Sequence, residues 1–522
     1  MLATSPSWRL SLRALGHPRI ITMLFLGFSA GIPLLLIFSS LSLWLREAGI
    51  ERSAVTFFSW AALGYSFKFV WAPLVDTLPV PLLTRRLGRR RGWMLLAQGS
   101  IIAAITGMAL IDPAQGHLTM MALAAVLLGF SSATQDIVID AYRIESADVS
   151  LQALMSSTYI AGYRIGMLVS GAGALFLASA FGSAKGAYDY QAWQETYFIM
   201  AAVMSVGVLT TLMISEPASP DVRGPVRSAG DHAGILFMFV AGVTGFILVF
   251  YFSSDPATEL SRALAGMTGT EAGARFLVET ARLAMGVATA WLIAALMIQA
   301  GIVSRDVMQD TYIAPLKDFF RRYGLKSALV LLLLVGVYRI SDIVLGVIAN
   351  VFYQDMGFTK PEIAGVVKTF GLFMTIAGGF LGGLLSVRYG VVRILLLGAL
   401  LSAATNLLFI ALAAVGHDLG MLYMVISADN LSAGLAGAAF VAFLSGLTNI
   451  RFTAMQYAIF SSLMTLFPKI LGGYSGTIVD SLGYSQFFML TALLGLPVLV
   501  LVWQTRHYST PPAETNRSPL SF

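Results

Sequence analysis

Apolar stretches long enough to cross a bilayer recur along this sequence, from residue 20 to residue 503. A membrane span needs about 20 apolar residues in a helix, and its backbone must satisfy its own hydrogen bonds, which only helices and closed barrels achieve. The stretches are continuously apolar rather than alternating, so they predict helices. Charged residues make up only 11% of the chain, against about 25% in soluble domains. We therefore expect an all-α polytopic membrane protein.

Fourteen such helices are predicted, in groups of six, two and six. They lie near residues 20–43, 54–76, 93–111, 118–141, 152–181, 193–214, 233–253, 281–304, 327–350, 362–386, 392–415, 419–446, 453–480 and 484–503.

Basic residues at the helix ends predict the orientation. Most of the 33 Lys and Arg residues fall in alternate loops, and basic loops stay in the cytoplasm. This pattern predicts an inner-membrane protein with both termini in the cytoplasm and a retained signal-anchor as its first helix. It also explains the net charge of +6, so we do not expect a nucleic-acid partner. The chain has no cysteine, which excludes disulfides and thiolate chemistry.

The domain organisation follows from loop composition and a faint internal repeat. Segments starting at Leu45 (LREAGIERSAVTFF) and Tyr353 (YQDMGFTKPEIAGVV) resemble each other and follow the first helix of each six-helix group. Parallel repeats of this kind are typical of secondary transporters. The predicted parts are a cytoplasmic N-terminus at 1–19, a six-helix bundle at 20–214, a cytoplasmic linker at 215–232, an inserted helix pair at 233–304 enclosing a loop near 254–280, a cytoplasmic amphipathic segment at 305–326, a second six-helix bundle at 327–503 and a cytoplasmic tail at 504–522.

Polar residues on the fourth predicted helix are the first candidates for function. A charge inside a membrane is costly and usually faces a cavity or a partner. Asp136 and Asp140 are four residues apart and share one helix face, with Gln135 beside them. Asp136 is the deeper acid, so we expect it to bind substrate or carry protons. Asp140 lies nearer the cytoplasmic end, where it could instead form a gate with Arg143.

Two basic residues in the first half are also placed inside predicted helices. Arg164 lies about 18 Å into the fifth helix at 1.5 Å per residue, too deep for its side chain to reach water easily. It could bind a substrate carboxylate bidentately, or form a permanent salt bridge with Asp136. Lys68 is a substrate-binding candidate that could also extend its amine toward the cytoplasm.

The second half carries its own set of intramembrane polar residues. Arg339 and Asp342 are three residues apart and can be neighbours on one helix face, either as a structural pair or as a pair that proton or substrate binding opens. Asp429, Asn430 and Lys469 lie near mid-depth. We expect Arg339, Asp429, Asn430 and Lys469 to bind substrate. An acid with a cation nearby can load and release a proton, so Asp136, Asp342 and Asp429 are the proton-coupling candidates.

Several longer motifs carry a family resemblance. KFVWAPLVD (68–76), GRRRGW (88–93), SSATQDIVIDAYRIE (131–145), GYRIGMLVSG (162–171), VYRISD (337–342), VVKTFGLFMTIAGG (366–379) and RFTAMQYAIFSSL (451–463) resemble AmpG-type muropeptide permeases of the major facilitator superfamily. The resemblance covers both predicted bundles. It implies proton-driven import of anhydromuropeptides, which are sugar-peptide fragments of peptidoglycan, from the periplasm to the cytoplasm.

The resemblance also implies a cytoplasmic gate of charge pairs around the loop that follows the second helix. The alternative is that the arginines only fix orientation. In the second half, Ser386 stands where the first half has an acid, so we expect an asymmetric gate. The gate candidates are Asp76, Arg89, Arg90, Arg91, Asp140, Arg143 and Arg388.

Other functions remain as alternatives. A related carrier for another amphiphilic solute, such as a siderophore or a coenzyme A derivative, is the main one. An intramembrane enzyme is remote because the predicted loops are short and poor in His and Glu. No GxxxxGK[ST] phosphate loop occurs, so the chain itself is not an ATP-driven pump. We expect no cofactor, no metal and no obligate protein partner; the expected partners are the substrate, protons and lipids.

Overall fold

The structure, a computed structural model, describes residues 16–37, 39–50, 65, 67–184, 186–217, 228–268, 271–359, 362–472 and 475–505. Within these ranges the regular elements are helices, and the one β-type contact is an isolated antiparallel bridge between Ala184 and Ala187. The predicted all-α class is confirmed.

The helices of the first half are α1 Pro18–Ile37, α2 Ser39–Glu47, α3 Ala72–Thr77, α4 Leu83–Leu87, α5 Arg89–Ala109, α6 Leu118–Ser146, α7 Val149–Leu168, α8 Ala174–Ala180 and α9 Tyr190–Met213. Short 3-10 turns lie at Lys68–Val70 and Pro113–Gln115, and a π-helical turn at Val169–Gly173 joins α7 to α8.

The middle segment contains α10 Ala229–Phe252, α11 Ser254–Thr268, α12 Glu271–Gln299, α13 Arg305–Met308, a π-helical turn at Gln309–Ile313 and α14 Ala314–Tyr323. The second half contains α15 Leu325–Val337, α16 Ile340–Asp355, a π-helix at Ile363–Phe370, α17 Gly371–Tyr389, α18 Val391–Val415, α19 Leu419–Leu447, a 3-10 turn at Ile450–Phe452, α20 Thr453–Gly472, α21 Ser475–Leu482 and α22 Tyr484–Thr505.

Among the described residues, twelve helical segments are long and apolar enough to cross a membrane. They coincide with twelve of the fourteen predicted spans. Of the other two, the predicted helix at 54–76 falls largely outside the described residues. The predicted helix at 453–480 forms α20 and α21, which are not among the twelve.

The chain divides into two compact units. The larger unit contains both halves, and the smaller contains Asp76–Leu78 and Asp221–Asp318. In the smaller unit, α10 and α12 pack closely enough that a Cβ on Gly245 would lie 2.4 Å from Ile293. Buried Arg282 of α12 donates to the Phe250 carbonyl at the end of α10 (2.6 Å) and pairs with Glu279 (2.8 Å). The Arg282 charge, inside the helix predicted at 281–304, is thus both paired and hydrogen-bonded, as a buried charge must be.

The prediction of a loop near 254–280 is wrong, because most of this segment is helical. Helix α11 covers Ser254–Thr268, and α12 already begins at Glu271. The segment SDPATELSRALAGMT is too polar to cross a bilayer, and its low hydropathy indicated a loop. Its Ala, Leu, Glu and Arg residues are nevertheless good helix formers, and a helix outside the bilayer core does not need to be apolar.

Four pairs of glycines with positive φ confirm the internal repeat. Gly49 and Gly357 occupy the same place in the two similar segments, with φ of 81° and 88°. Such angles place the backbone where glycine is favoured, so each half makes the same turn after its first helix. Gly88 and Gly390 precede the corresponding helices α5 and α18, Gly116 and Gly416 come after these helices, and Gly182 and Gly483 follow α8 and α21.

Glycines also bring two helix pairs into backbone contact. A Cβ on Gly31 of α1 would lie 2.0 Å from the Tyr163 carbonyl oxygen of α7, and a Cβ on Gly162 would lie 1.9 Å from the Leu24 carbonyl oxygen. In the second half, a Cβ on Gly378 of α17 would lie 2.1 Å from the Leu431 carbonyl oxygen of α19. Small residues permit this approach in membrane helices. The contacts fix α7 and α19, which carry several of the candidate charges.

Candidate functional site

The two acids of α6 have different surroundings. Asp136 is buried, accepts a hydrogen bond from the Tyr159 hydroxyl (3.2 Å) and interacts electrostatically with Lys68 and Asp140. Asp140 forms ion pairs with Lys68 (3.8 Å) and Arg143 (3.2 Å). Lys68 therefore interacts with both acids. Among the described ion pairs, Arg143 pairs with Asp140 alone, the acid nearer the end of α6.

Gln135 faces another direction. Its side chain is fully buried, and its Nε2 donates weakly to the Ser29 hydroxyl (3.5 Å), while its Oε1 has no hydrogen-bond partner among the described residues. The structure therefore places Gln135 inside the first half, against α1. Its role in substrate binding stays a prediction.

In the second half, a helix break carries the charges. The predicted span at 327–350 is interrupted: α15 ends at Val337 and α16 begins at Ile340, with Arg339 at its N-cap. Arg339 Nε lies 3.7 Å from an Asp342 carboxylate oxygen. Asp342 in the first turn of a helix is also stabilised by the helix dipole. The break therefore holds an arginine and an acid side by side in the middle of a span.

Further polar residues extend this group. Asp342 is hydrogen-bonded with Ser402 and interacts electrostatically with Asp429, which is hydrogen-bonded with Thr405. Asn430, the neighbour of Asp429, accepts a hydrogen bond from Thr375 (2.8 Å) across the α17–α19 contact. Helix α18 thus supplies hydroxyls to both acids, which no sequence motif had indicated. Lys469 lies on α20, but its side chain is outside the described part of the structure.

Arg164 is exposed and makes no hydrogen bond or ion pair among the described residues, so the alternative salt bridge with Asp136 is not formed. It interacts electrostatically with Arg339 of the other half. Because Arg164 is exposed and this interaction reaches the opposite half, we interpret its side chain as lying in a cleft between the halves.

At one end of this cleft, a buried ion pair joins the halves. Arg90 at the start of α5 donates from Nε to Glu145 of α6 (3.0 Å) and from Nη2 to the Thr453 hydroxyl of α20 (2.7 Å). Thr453 also donates to Glu145. Glu145 and Thr453 are absent from the sequence candidates, although both lie in quoted motifs. Glu145 went unassigned because its position near a helix end resembles an ordinary surface residue.

Arg143 makes a second connection at the same end. Its Nη1 donates to Ser445 of α19 (2.8 Å) and to Gln152 of α7 (2.8 Å), and its guanidinium lies over the Tyr457 ring at 5.2 Å. Nearby, the Ser157 hydroxyl of α7 donates to the Gly379 carbonyl of α17 (2.6 Å). The two halves are therefore in direct contact at this end of the cleft.

The remaining gate candidates have other positions. Arg89 lies 3.8 Å from Glu145, close to the joining pair. Arg91 instead donates to the Thr211 carbonyl (3.0 Å) and the Leu212 carbonyl (2.8 Å) at the end of α9, within the first half. Arg388 lies over the ring of its neighbour Tyr389. Asp76 lies near the end of α3. Gate roles for all seven candidates stay predictions.

Among the described residues, no group of three or more His, Cys, Asp or Glu is arranged to hold a metal ion. The polar groups described above are carboxylates, guanidinium groups, the Lys68 amine and hydroxyls. These groups can bind an anionic or sugar-like solute and exchange protons.

Solved structures with the same fold are carriers. A proton:xylose symporter aligns with 95% of this chain and 96% of its own, at 13% identity and a TM-score of 0.54. The E. coli fucose:proton symporter aligns with 97% of this chain and 100% of its own, at 11% identity and a TM-score of 0.56. At these identities the likeness shows the fold alone, which is that of major facilitator transporters.

Family models and relatives give a narrower result. The model described as Major Facilitator Superfamily matches residues 331–522, and the one described as Acetyl-coenzyme A transporter 1 matches residues 19–185. The chain is 30% identical to the putative transporter AmpG 4 of Rickettsia conorii over 93% of this chain and 95% of that protein. It is 29% identical to the anhydromuropeptide permease of E. coli K12 over 94% of this chain and 80% of that protein. The chain therefore belongs to the AmpG-type transporter family of the major facilitator superfamily.

Proposed function

We propose that this transporter imports anhydromuropeptides across the bacterial cytoplasmic membrane and couples the import to protons. The observation that carries the proposal is the similarity to an anhydromuropeptide permease along 94% of the chain. The charges in the cleft agree with it, because such solutes combine sugars with peptide carboxylates. An intramembrane enzyme is not supported, since the relatives and the fold are those of transporters.

Proton coupling is assigned to Asp136, Asp342 and Asp429. Each of these acids interacts electrostatically with a lysine or an arginine. A carboxylate beside a cation stays charged, and moving the cation away favours protonation. A rearrangement of the halves that changes these distances would therefore load or release a proton.

Substrate binding is assigned to Lys68, Asp136, Arg164, Arg339, Asp429, Asn430 and Lys469, with Gln135 as a further candidate in another conformation. The end of the cleft closed by Arg90, Glu145 and Thr453 is assigned to the cytoplasmic side, together with both termini, because it adjoins the most basic loop. In this assignment the described conformation is closed toward the cytoplasm. Substrate would enter from the periplasm, and separation of the Arg90–Glu145–Thr453 contact would release it.

Vesicle uptake tests this proposal. Labelled anhydromuropeptide should accumulate in right-side-out vesicles under an inward pH gradient, and a protonophore should abolish the accumulation. Empty vesicles and vesicles carrying Asp136→Asn protein are the controls. Equal uptake with and without the gradient would remove proton coupling, and no uptake in either condition would remove the substrate assignment.

A coenzyme A derivative is the second candidate, favoured by the match of residues 19–185 to the acetyl-coenzyme A transporter model. Its phosphates could bind the same guanidinium groups. Competition separates the two candidates. Excess acetyl-coenzyme A should leave muropeptide uptake unchanged if the first proposal holds, and labelled acetyl-coenzyme A should be taken up if the second one does.

A further inference from the structure

Helix α5 begins with charges of the unfavourable sign. Its first three residues, 89–91, are arginines, and its first turn contains no acidic residue. The N-terminus of a helix carries partial positive charge, so these arginines weaken the start of the helix. The N-cap residue, Gly88, has no side chain that could accept the first N–H groups. A negative group from elsewhere in the chain would therefore stabilise this end of α5.

Glu216, just after the end of α9, supplies this group. The Arg90 backbone N–H donates to one of its carboxylate oxygens (2.7 Å), and the Arg91 backbone N–H donates to the other (3.0 Å). A Cβ on Gly88 would lie 2.3 Å from Glu216 Cδ, so a larger residue at this position would displace the carboxylate. The glycine and the distant acid therefore form one helix cap.

Arg91 makes the opposite connection, from α5 to the end of α9. Its guanidinium donates to the Thr211 carbonyl (3.0 Å) and to the Leu212 carbonyl (2.8 Å), both in the last turn of α9. The last carbonyls of a helix lack partners within the helix, and they favour a nearby cation. These bonds do not involve Glu216, so α9 should stay attached to α5 when the Glu216 carboxylate is removed.

Arg90 connects the Glu216 cap to the other half. Glu216 holds the backbone of Arg90, while the buried Arg90 side chain donates to Glu145 (3.0 Å) and to the Thr453 hydroxyl of α20 (2.7 Å). Hydrogen bonds weaken steeply when their angles depart from the preferred range, so a small displacement of the first turn of α5 weakens the contact between the halves. The described hydrogen bonds of Glu216 stay within the first half, so it acts on this contact through Arg90.

We propose that Glu216 is a positioning residue for the Arg90–Glu145–Thr453 contact. Its carboxylate fixes the first turn of α5 so that the Arg90 guanidinium reaches the other half. The inference rests on the proposed function for the part that this contact takes in the transport cycle. Loss of the carboxylate should let the first turn fray and favour separation of the halves at this end, while the Arg91 bonds preserve the packing of α9.

An introduced cysteine can report this separation because the chain has no cysteine of its own. Ser157 is buried where α7 meets α17, and its hydroxyl donates to the Gly379 carbonyl of the other half (2.6 Å). Ser157→Cys therefore reports the contact between the halves. Thr196 is buried on α9 within the first half, so Thr196→Cys reports general loosening instead. The rate of maleimide labelling is measured for each in purified full-length protein without substrate.

Glu216→Gln should raise the labelling rate of Ser157→Cys protein about fivefold, the factor that corresponds to loss of a typical helix cap. The rate for Thr196→Cys protein should not change. Glutamine has one acceptor oxygen for the two N–H groups, whereas Glu216→Asp keeps both oxygens and the charge and should give a smaller rise. Glu362→Gln, the same change in a carboxylate that accepts a backbone N–H elsewhere, is the matched control.

A double variant separates positioning from a purely structural cap. Thr453→Val removes the hydroxyl that accepts from Arg90 but leaves the pair of Arg90 with Glu145. If Glu216 acts through Arg90, adding Glu216→Gln to Thr453→Val should raise the labelling rate little further, because effects that pass through one interaction are not additive. Rises that multiply in the double variant would overturn the proposal. So would no rise in Glu216→Gln protein, or an equal rise at both reporter positions.

The labelling experiment contains no substrate, so it separates this inference from the proposed function. If wild-type protein takes up no anhydromuropeptide, the proposed function fails, and the labelling rates still decide the role of Glu216. If uptake occurs and Glu216→Gln protein is labelled at the wild-type rate, the positioning role alone fails.

Discussion

The two halves of the larger unit share a scaffold but not a chemistry. Both make the same glycine turns, as at Gly49 and Gly357, and both contain a glycine-mediated helix pair. The first half places its acids on the uninterrupted helix α6 and ties Asp140 to Lys68 and Arg143. The second half interrupts its first span and places Arg339 and Asp342 at the break, while Asp429 lies on the uninterrupted helix α19.

This difference suggests a division of labour. In the first half Asp140 is linked to the contact between the halves, because Arg143 pairs with Asp140 and donates to Ser445 of the other half. In the second half Asp342 and Asp429 are linked to each other and to α18 hydroxyls. The two halves therefore share the turns and the close packing that the fold needs. Their charged residues differ, and we infer that each half carries a different part of the transport cycle.

Asp136→Asn should have the largest effect. Asparagine keeps the size of the side chain and its contact with Tyr159 but cannot exchange a proton. Uptake driven by a pH gradient should fall to background, while exchange of labelled for unlabelled substrate continues and the melting temperature stays near that of the wild type. Asp342→Asn is the matched change in the other half. Gradient-driven accumulation by Asp136→Asn protein at the wild-type rate would remove Asp136 from the proton-coupling residues.

Glu145→Gln should have the next largest effect, on stability. Glu145 balances the buried Arg90 charge, and removing one partner of a buried ion pair costs about 3 to 5 kcal/mol. We expect a lower melting temperature and greater exposure of the cytoplasmic end of the cleft. The double variant Arg90→Gln with Glu145→Gln should recover part of the loss, since no unpaired charge remains. A double variant less stable than Glu145→Gln would show that the pair is not the cause.

The sequence predicted most of the fold because apolar length and turn glycines are local signals. These local signals predicted twelve of the spans, the repeat and the presence of a helix in the 305–326 segment. The break before Ile340 could not be predicted, since no proline marks it and the apolar residues continue on both sides of it. The contact of Lys68 with Asp140 could not be predicted either, nor could the hydrogen bond that Thr453 accepts from Arg90 of the other half. Contacts between helices depend on rotation and tilt, which composition does not determine.

Adjacent glycines of α17 offer a finer test. A Cβ on Gly382 would lie 2.6 Å from the Leu435 carbonyl oxygen within the second half, whereas a Cβ on Gly383 would lie 2.7 Å from Ser157 Oγ of the first half. Overpacking typically costs about 1 to 3 kcal/mol. Gly382→Ala should lower the melting temperature, because the contact within a half is permanent. Gly383→Ala should instead shift the protein toward the cytoplasm-open conformation with little loss of stability.

These two effects can be distinguished with a cysteine introduced near the Glu145–Thr453 contact. Its accessibility is measured together with thermal melting. Equal losses of melting temperature in both variants would show that the contact between the halves is as permanent as the contact within one. The contrast between the two glycines would then disappear.

The smallest effect is expected at the opposite end of the second half. Glu362 accepts hydrogen bonds from the Thr359 backbone N–H (2.8 Å) and lies 3.1 Å from His417, and these contacts lower the pKa of Glu362 to about 2. A lowered carboxyl pKa stabilises the fold above the ordinary value of 4.5, and this contribution is lost as the pH falls toward 2. Glu362→Gln should therefore lower the melting temperature slightly at pH 7, and the difference from the wild type should shrink between pH 4.5 and pH 2. Because the Glu362 side chain is only partly buried, the difference at pH 7 should be small. A difference that grows on acidification would have the wrong sign for a carboxylate stabilised by these contacts.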